Sequence, residues 1–175
     1  MEVRLATPKD AEALHTLNEM FGNQNELHAL RESIDTNDRE IIYIACDQSQ
    51  AAGFCTGLIV KSMCYSGNRI DIEALFVKEE YRGRGVGTLL LQHLQKEAAA
   101  RSIYHLHVVT HSSNKRAQSL YAREGFMCTG EVLFEKAFCL IHGAMMEIDL
   151  NRDMVISTCA IFEPIPGYQQ DSLKD

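Results

Sequence analysis

RIDIEALFVKEEYRGRGVGTLLLQHLQKEAAAR, residues 69–101, decides how the rest of the 175-residue chain is read. Ile70, Ile72, Ala74 and Phe76 alternate with Asp71, Glu73, Leu75 and Val77. That is the period of two of a pleated strand, with the first set forming one wholly apolar face. The opposite face begins acidic and ends oily. Lys78-Glu79-Glu80-Tyr81 is a polar break. In Arg82-Gly83-Arg84-Gly85-Val86-Gly87-Thr88, which follows, every second residue from Gly83 is a glycine, so bare backbone can approach a ligand closely. From Thr88 to Arg101 the spacing of Leu90, Leu91, Leu94 and Ala98 predicts an amphipathic helix, with Gln92, Gln95, Lys96 and Glu97 on its polar side.

The start of that helix points unpaired N–H groups and the positive end of its dipole back at the glycine loop, beside Arg82 and Arg84. Together they make a cradle for a phosphate or diphosphate. Two well-known phosphate loops are excluded on spacing. The Walker form needs Gly-Lys-Ser/Thr after four intervening residues, and G-x-G-x-x-G fails because Thr88 and Leu90 stand where its last glycine belongs. What remains is Arg82-x-x-Gly85-x-Gly87 between a strand and a helix.

A second block follows, Asn114-Lys115-Arg116-Ala117-Gln118-Ser119-Leu120-Tyr121-Ala122-Arg123-Glu124-Gly125-Phe126: an Asn, a Tyr seven residues on, and Gly-Phe closing a helix. In these two blocks, in this order, the chain resembles the GCN5-related N-acetyltransferase (GNAT) superfamily over residues 69 to 126. The resemblance implies an α/β (α+β) fold with a central mixed, mostly antiparallel, strongly twisted sheet of about seven strands flanked by about four helices. Residues 1–150 would form the acetyltransferase domain and 151–175 a C-terminal extension.

The flanking sequence fits that architecture. Glu2 to Ala6 reads as a strand, and Thr7 with Pro8 starts a helix running to Phe21 with an apolar stripe of Ala11, Leu14, Leu17 and Phe21. Gly22 to Asn25 breaks it, and Glu26 to Ser33 makes a second short helix. Strands Ile41 to Cys46, Gly53 to Lys61 and Ile70 to Val77 are joined by turn residues suited to an antiparallel meander. Ile103 to Thr110 returns as a strand parallel to its neighbour, which makes the sheet mixed. Asn114 caps the last helix and Gly125 ends it in a left-handed turn. Met127 to Cys139 and Ala144 to Leu150 read as a closing hairpin, Met154 to Phe162 as one more strand, and Glu163 to Asp175 as a loosely held tail.

Hydrophobic content of 46% and charged content of 23% are those of a globular domain. A net charge of −7 argues against a nucleic-acid partner and favours a cationic substrate. No leader pattern and no membrane-length apolar run is present, and a cytoplasmic protein without a membrane partner is expected. The six cysteines show no C-x-x-C pair and read as reduced core thiols. His105, His107 and His111 lie on one face of a strand, but no carboxylate or thiol follows at ligand spacing, and no metal is expected.

What the resemblance implies about chemistry is specific. Acetyl-CoA is the co-substrate. Its pyrophosphate is held by Arg82, Gly83, Arg84, Gly85, Val86, Gly87 and Thr88. Its pantetheine arm pairs with the backbone of Leu75, Phe76 and Val77, where the strand splays from its neighbour at a bulge. Glu73 is the candidate general base, Tyr121 the candidate acid for the departing thiolate, and Asn114 and Tyr121 cofactor contacts. Glu26, on the acidic helix pair that walls the acceptor site, and Asp71 and Glu73 are candidate contacts for a cationic substrate. Each has a plainer reading: solvated carboxylates, a core tyrosine, a helix cap. With no cysteine expected in the site, transfer would be direct, within a ternary complex. The acceptor is a small-molecule amine, such as a polyamine or an aminoglycoside-like compound, or a protein lysine or N-terminal amine. A noncatalytic CoA-binding module is the alternative. The oligomeric state stays open, a homodimer built on the late strands being one arrangement.

Overall fold

The computed structural model describes residues 1–63, 67–131, 133, 137–141 and 144–148, the last two segments as backbone strands. They fall into two compact units, Met1–Cys128 and Thr129–Asp175. In the first, β1 (Glu2–Leu5), β2 (Glu40–Asp47), β3 (Gln50–Lys61), β4 (Asn68–Val77) and β5 (His105–Val108) form one sheet in chain order. The first four pair antiparallel, and β5 runs parallel to β4, as expected of a mixed sheet. The helices are α1 (Ala11–Phe21), α2 (Leu27–Thr36), α3 (Val86–Ala100) and α4 (Lys115–Arg123). The class is therefore the expected one, a mostly antiparallel mixed sheet with four helices.

The sheet divides two apolar layers. On one side Ile41, Tyr43, Cys55, Ile70 and Ile72 pack with Val86, Leu90, Leu91, Leu94 and Ala98 of α3. Leu90, Leu91 and Leu94 are fully buried, each worth about 1.5–3 kcal/mol of removal from water. The helix lies so close that a Cβ at Gly57 would stand 2.6 Å from Ile70 Cγ2 and 3.1 Å from Leu94 Cδ1, which explains a glycine in mid-strand. On the other side Ile42, Ile44, Phe54, Ala74 and Phe76 pack with Leu14 and Leu17 of α1.

The expectation of a single apolar face on β4 is corrected here. Thr56 of β3 pairs with Ala74, yet its neighbour Gly57 pairs with Ile72, so Glu73 is an extra residue in the ladder. This β-bulge reverses the strand's two sides. Ile70 and Ile72 face α3, whereas beyond Glu73 it is Leu75 and Val77 that pack against that layer, and Ala74 and Phe76 that face α1.

The chain enters α1 through a short 3-10 turn, Pro8–Asp10, organised by Asp10. Its carboxylate accepts from Arg4 Nη1 at 2.8 Å and Nη2 at 2.7 Å, from Thr7 N at 2.8 Å and from Thr7 Oγ1 at 2.8 Å. The Arg4 guanidinium therefore holds the Asp10 carboxyl well below the usual carboxylate range. Because that folded-state pKa is depressed, the stabilisation is complete above the unfolded-state value and is lost as pH falls toward the folded one. Asp10→Ala is expected to cost about 1–2 kcal/mol at pH 7. Urea unfolding of the two proteins should show the difference narrowing below about pH 4.

In the second unit β6 (Ala137–Ile141) and β7 (Ala144–Ile148) form an antiparallel pair, with Ala137 opposite Ile148. The closing hairpin is present, but its first strand begins later than expected. Residues 127–131 are not strand, and the Met127 side chain is exposed. The expected strand Met154 to Phe162 and the tail lie outside the described residues, as does the boundary at residue 150. Among the described residues no helix is long and apolar enough to cross a membrane. Cys46, Cys55 and Cys128 are free thiols; Cys128 is exposed, which departs from the expectation of core cysteines.

Candidate active site

Gly83 and Gly85 both take positive φ, +76° and +80°. This left-handed geometry, which residues with a Cβ rarely adopt, turns the chain from β4 into α3 within a few residues. Gly85 is the N-cap, and α3 starts at Val86, two residues before the expected Thr88. The first backbone bond of the helix is Leu89 N to Gly85 O at 3.0 Å, so the N–H groups of Val86, Gly87 and Thr88 precede it and are left to face outward. A Cβ on Gly83 or Gly85 would meet nothing within 4 Å, so the space in front of the loop is open. Gly87 serves packing instead, for a Cβ there would press on Leu120 Cδ2 at 3.2 Å.

Three guanidiniums ring this loop. Arg82 Nε donates to Val77 O at 2.9 Å, tying the loop back to the end of β4. Arg84 lies over the Tyr81 ring, 5.4 Å from its centroid. Arg123, which the sequence reading passed over, reaches Thr88 Oγ1 from α4 at 3.4 Å. Exposed amides, positive dipole and guanidiniums fit a diphosphate.

Beside the loop, the ladder between β4 and β5 ends at Ile72 opposite Val108. Beyond it Glu73–Val77, which contains Leu75 and Phe76, is paired only with β3 among the described residues. The splay and the bulge thus coincide at Glu73.

Glu73 opens on the α1 side into a cavity of about 380 Å³. Glu73 is exposed on the strand, and its carboxyl is raised from its ordinary value by partial desolvation first and then by the negative charges of Asp71 and Glu40. The cavity is walled by Leu14, Asn18, Phe21, Leu30, Ile42, Phe54 and Thr56, with Asn23, Asn25 and Glu40 at its polar parts. Phe21 packs edge-on against Phe54 and Phe76 with centroids 6.2 Å and 6.1 Å away. It belongs to the predicted apolar stripe of α1 but stands 42% exposed at this cavity.

Tyr121 is on the opposite side of the sheet, packed on the α3 layer and edge-on to Phe126 at 5.6 Å. Burial, with Cys55 a smaller contributor, pushes its phenol up to about 12. Its hydroxyl has no hydrogen-bond partner among the described residues. Asn114 Oδ1 accepts from Ala117 N at 3.1 Å, the expected cap.

The two remaining candidates are placed differently. Asp71 is held by Arg69 through Nε at 2.8 Å and Nη2 at 3.0 Å, with His107 Nδ1 3.9 Å away. Its charge therefore acts on Glu73 from a fixed, largely neutralised position. Glu26 occupies the N-cap position of α2 without a side-chain capping bond and is exposed, but it does not line the cavity, whereas Asn23 and Asn25 just before it do. Asn18 and Thr56, each only 9% exposed, were not anticipated. For Asn18 a signal existed: it occupies the fourth place after Leu14, on the apolar stripe, where a polar side chain needs a reason. Among the described residues no cluster of three or more potential ligands could hold a metal ion.

Residues 11–126 match the model of the acetyltransferase (GNAT) family. The thialysine N-epsilon-acetyltransferase of Bos taurus is 33% identical over 61 residues, which span 35% of this chain and 36% of that protein. The streptothricin acetyltransferase of Escherichia coli is 25% identical over 144 residues, 75% of this chain and 80% of the other. Among solved structures, AAC(6')-Iy bound to the bisubstrate analogue CoA-S-monomethyl-acetylneamine superposes with a TM-score of 0.69 at 22% identity, covering 79% of this chain and 98% of that one. An aminoglycoside acetyltransferase from an uncultured soil metagenomic sample gives 0.65 at 24% identity, covering 77% and 95%. At such identities the structures attest the fold alone, and it is the family match, spanning α1, the bulged strand, the glycine loop and α4, that makes the assignment: the chain belongs to the acetyltransferase (GNAT) family and is by that membership an N-acetyltransferase.

Proposed function

We propose that the enzyme transfers the acetyl group of acetyl-CoA directly to a primary amine of a small cationic molecule, such as a polyamine or an aminoglycoside-like compound. The observation that carries this reading is Glu73: a carboxylate set by a bulge at the end of the β4–β5 ladder and opening into an acidic and aromatic cavity, with its pKa raised from the ordinary value. A cavity of about 380 Å³ suits a small molecule. The streptothricin, thialysine and aminoglycoside acetyltransferases are consistent with an amine acceptor.

In this reading the amides of Val86, Gly87 and Thr88, with Arg82, Arg84 and Arg123, hold the diphosphate. The backbone of Leu75, Phe76 and Val77 pairs with the pantetheine arm where β5 has ended. Glu73 takes a proton from the acceptor's ammonium, the neutral amine attacks the thioester carbonyl carbon, the C–S bond breaks, and the nitrogen releases its second proton to solvent, which reprotonates Tyr121, as the amide forms. Tyr121, a phenol still protonated at neutral pH, supplies the proton to the departing thiolate. Asn114 contacts the carrier while capping α4. Asp71 adjusts the charge on Glu73 rather than gripping substrate, and Glu26 lies at the cavity's approach. Cys55 supports direct transfer, since burial pushes its thiol up to about 12 and leaves it a poor nucleophile. A cytoplasmic location accords with free thiols and a CoA donor.

A panel of amines, each incubated with acetyl-CoA while thiol release is followed, tests the reading. Turnover of small polycations is the expected result. Turnover of lysine peptides or protein N-termini alone would move the acceptor to proteins, and tight CoA binding with no turnover would favour the noncatalytic module.

A further inference from the structure

Glu40 takes no part in the chemistry described above, yet it shares the cavity with Glu73. It stands on β2 opposite Leu58, which pairs in turn with Asp71, so Glu40 and the bulged segment of β4 are separated by one intervening strand. That places their backbones about 10 Å apart across the sheet, with side chains converging on a common space. Ser33 Oγ and Asn37 Nδ2 both donate to Glu40 Oε2, at 2.8 Å and 3.4 Å. Oε1 has no partner among the described residues. The carboxylate is thus fixed by α2 with one oxygen to spare. It is also close enough to Glu73 to be among the groups that raise its pKa.

A second observation points to a ligand. Thr56, on the strand between the two carboxylates, lines the cavity and is 9% exposed. Its hydroxyl makes no hydrogen bond among the described residues. Asn18 Oδ1 accepts from Asn23 Nδ2 at 2.9 Å, which leaves the Asn18 amide NH2 without an acceptor among them. Both side chains are mostly buried but keep an unpartnered polar atom accessible at the cavity wall, where an incoming molecule can bond to it.

Resting on the function proposed above, we infer that the acceptor carries two amino groups, and that Glu40 Oε1 seats the ammonium that does not react while Glu73 receives the one that does. Thr56 and Asn18 orient the linker between them, and Phe21, at the edge of the cavity, covers it with an aromatic face. Glu40 is then the residue that sets specificity for diamines over monoamines.

The measurement is kcat/KM for 1,4-diaminobutane and for n-butylamine, compared as a ratio within each protein so that any general loss of folding or activity cancels. The wild type is expected to favour the diamine at least tenfold. In Glu40→Gln the ratio should fall close to one through a higher KM for the diamine, and Glu40→Asp should restore part of it. Equal use of both amines by the wild type, or a ratio that survives Glu40→Gln, overturns the inference while leaving the amine acetyltransferase reading intact. Absence of turnover with every amine removes both.

Discussion

Gly85→Val is expected to weaken acetyl-CoA binding by 100-fold or more while costing far less in stability. The difference follows from where the substitution acts. Gly85 sits at φ +80° and ψ 4° as the N-cap of α3. A residue with a Cβ pays about 1–2 kcal/mol to remain in that region, and a β-branched one more. Since a Cβ at this position meets nothing within 4 Å, that strain is the main stability cost, and a melting-temperature loss of only several degrees should result. Binding suffers twice. The branched side chain fills the open space in front of the loop, and relief of strain by rotation of Gly85 turns away the amides of Val86, Gly87 and Thr88. Each hydrogen bond from such an amide to a charged group is worth about 1.5–3 kcal/mol, so disturbing two already exceeds 100-fold. Isothermal titration of CoA into both proteins, beside thermal unfolding, reads the two effects separately. Gly85→Ala provides the milder member of the series should valine prevent folding. A valine variant that folds and binds CoA within threefold of the wild type would show that the diphosphate is held elsewhere.

The loop was readable because its requirements are compositional. Three glycines and two arginines between a strand and a helix have few other uses, and the second block confirmed the context. The antiparallel meander was equally visible in its alternation and its turn residues. What stayed hidden was geometry that composition does not record. The resemblance implied a bulge beside Leu75–Val77, but a bulge adds one residue to the ladder without changing any residue type, so the reading of a single apolar face continued past Glu73, where the strand reverses. The placement of Asp71 followed a different blind spot. Arg69 and Asp71 are two apart on a strand and therefore neighbours on one face, a pairing that competes directly with substrate binding. The cavity wall was missed because Asn18, Glu40 and Thr56 come from three separate elements, and only the packing of α1 over β2 and β3 brings them together. The strand read from Met127 to Cys139 was begun too early: residues 127–131 are exposed and not strand, since a stretch without a partner edge does not make a strand.

The same bulge sets up the second large effect. Glu73→Gln is expected to lower kcat by about 10²–10⁴, the usual contribution of a positioned general base. It should also remove the acidic limb of the pH profile. The sign follows from the raised pKa: a base works only when ionised, so wild-type activity falls as pH drops through a midpoint higher than that of an unperturbed glutamate. Partial desolvation contributes most to that elevation, and Asp71 and Glu40 add to it through their charge. Asp71→Asn therefore moves the limb to lower pH, since it deletes a negative charge that raises the Glu73 pKa. Tyr121→Phe provides the contrast. Its loss in kcat, from the missing proton for the thiolate, should leave the acidic limb where it was, because Tyr121 lies on the other side of the sheet from Glu73 and its phenol, pushed up to about 12, does not titrate in that range. Steady-state kinetics of the three variants from pH 5 to 9 separate these roles. An acidic limb that persists unchanged in Glu73→Gln would transfer the base to another residue, with Glu40, across the same cavity, the first to substitute.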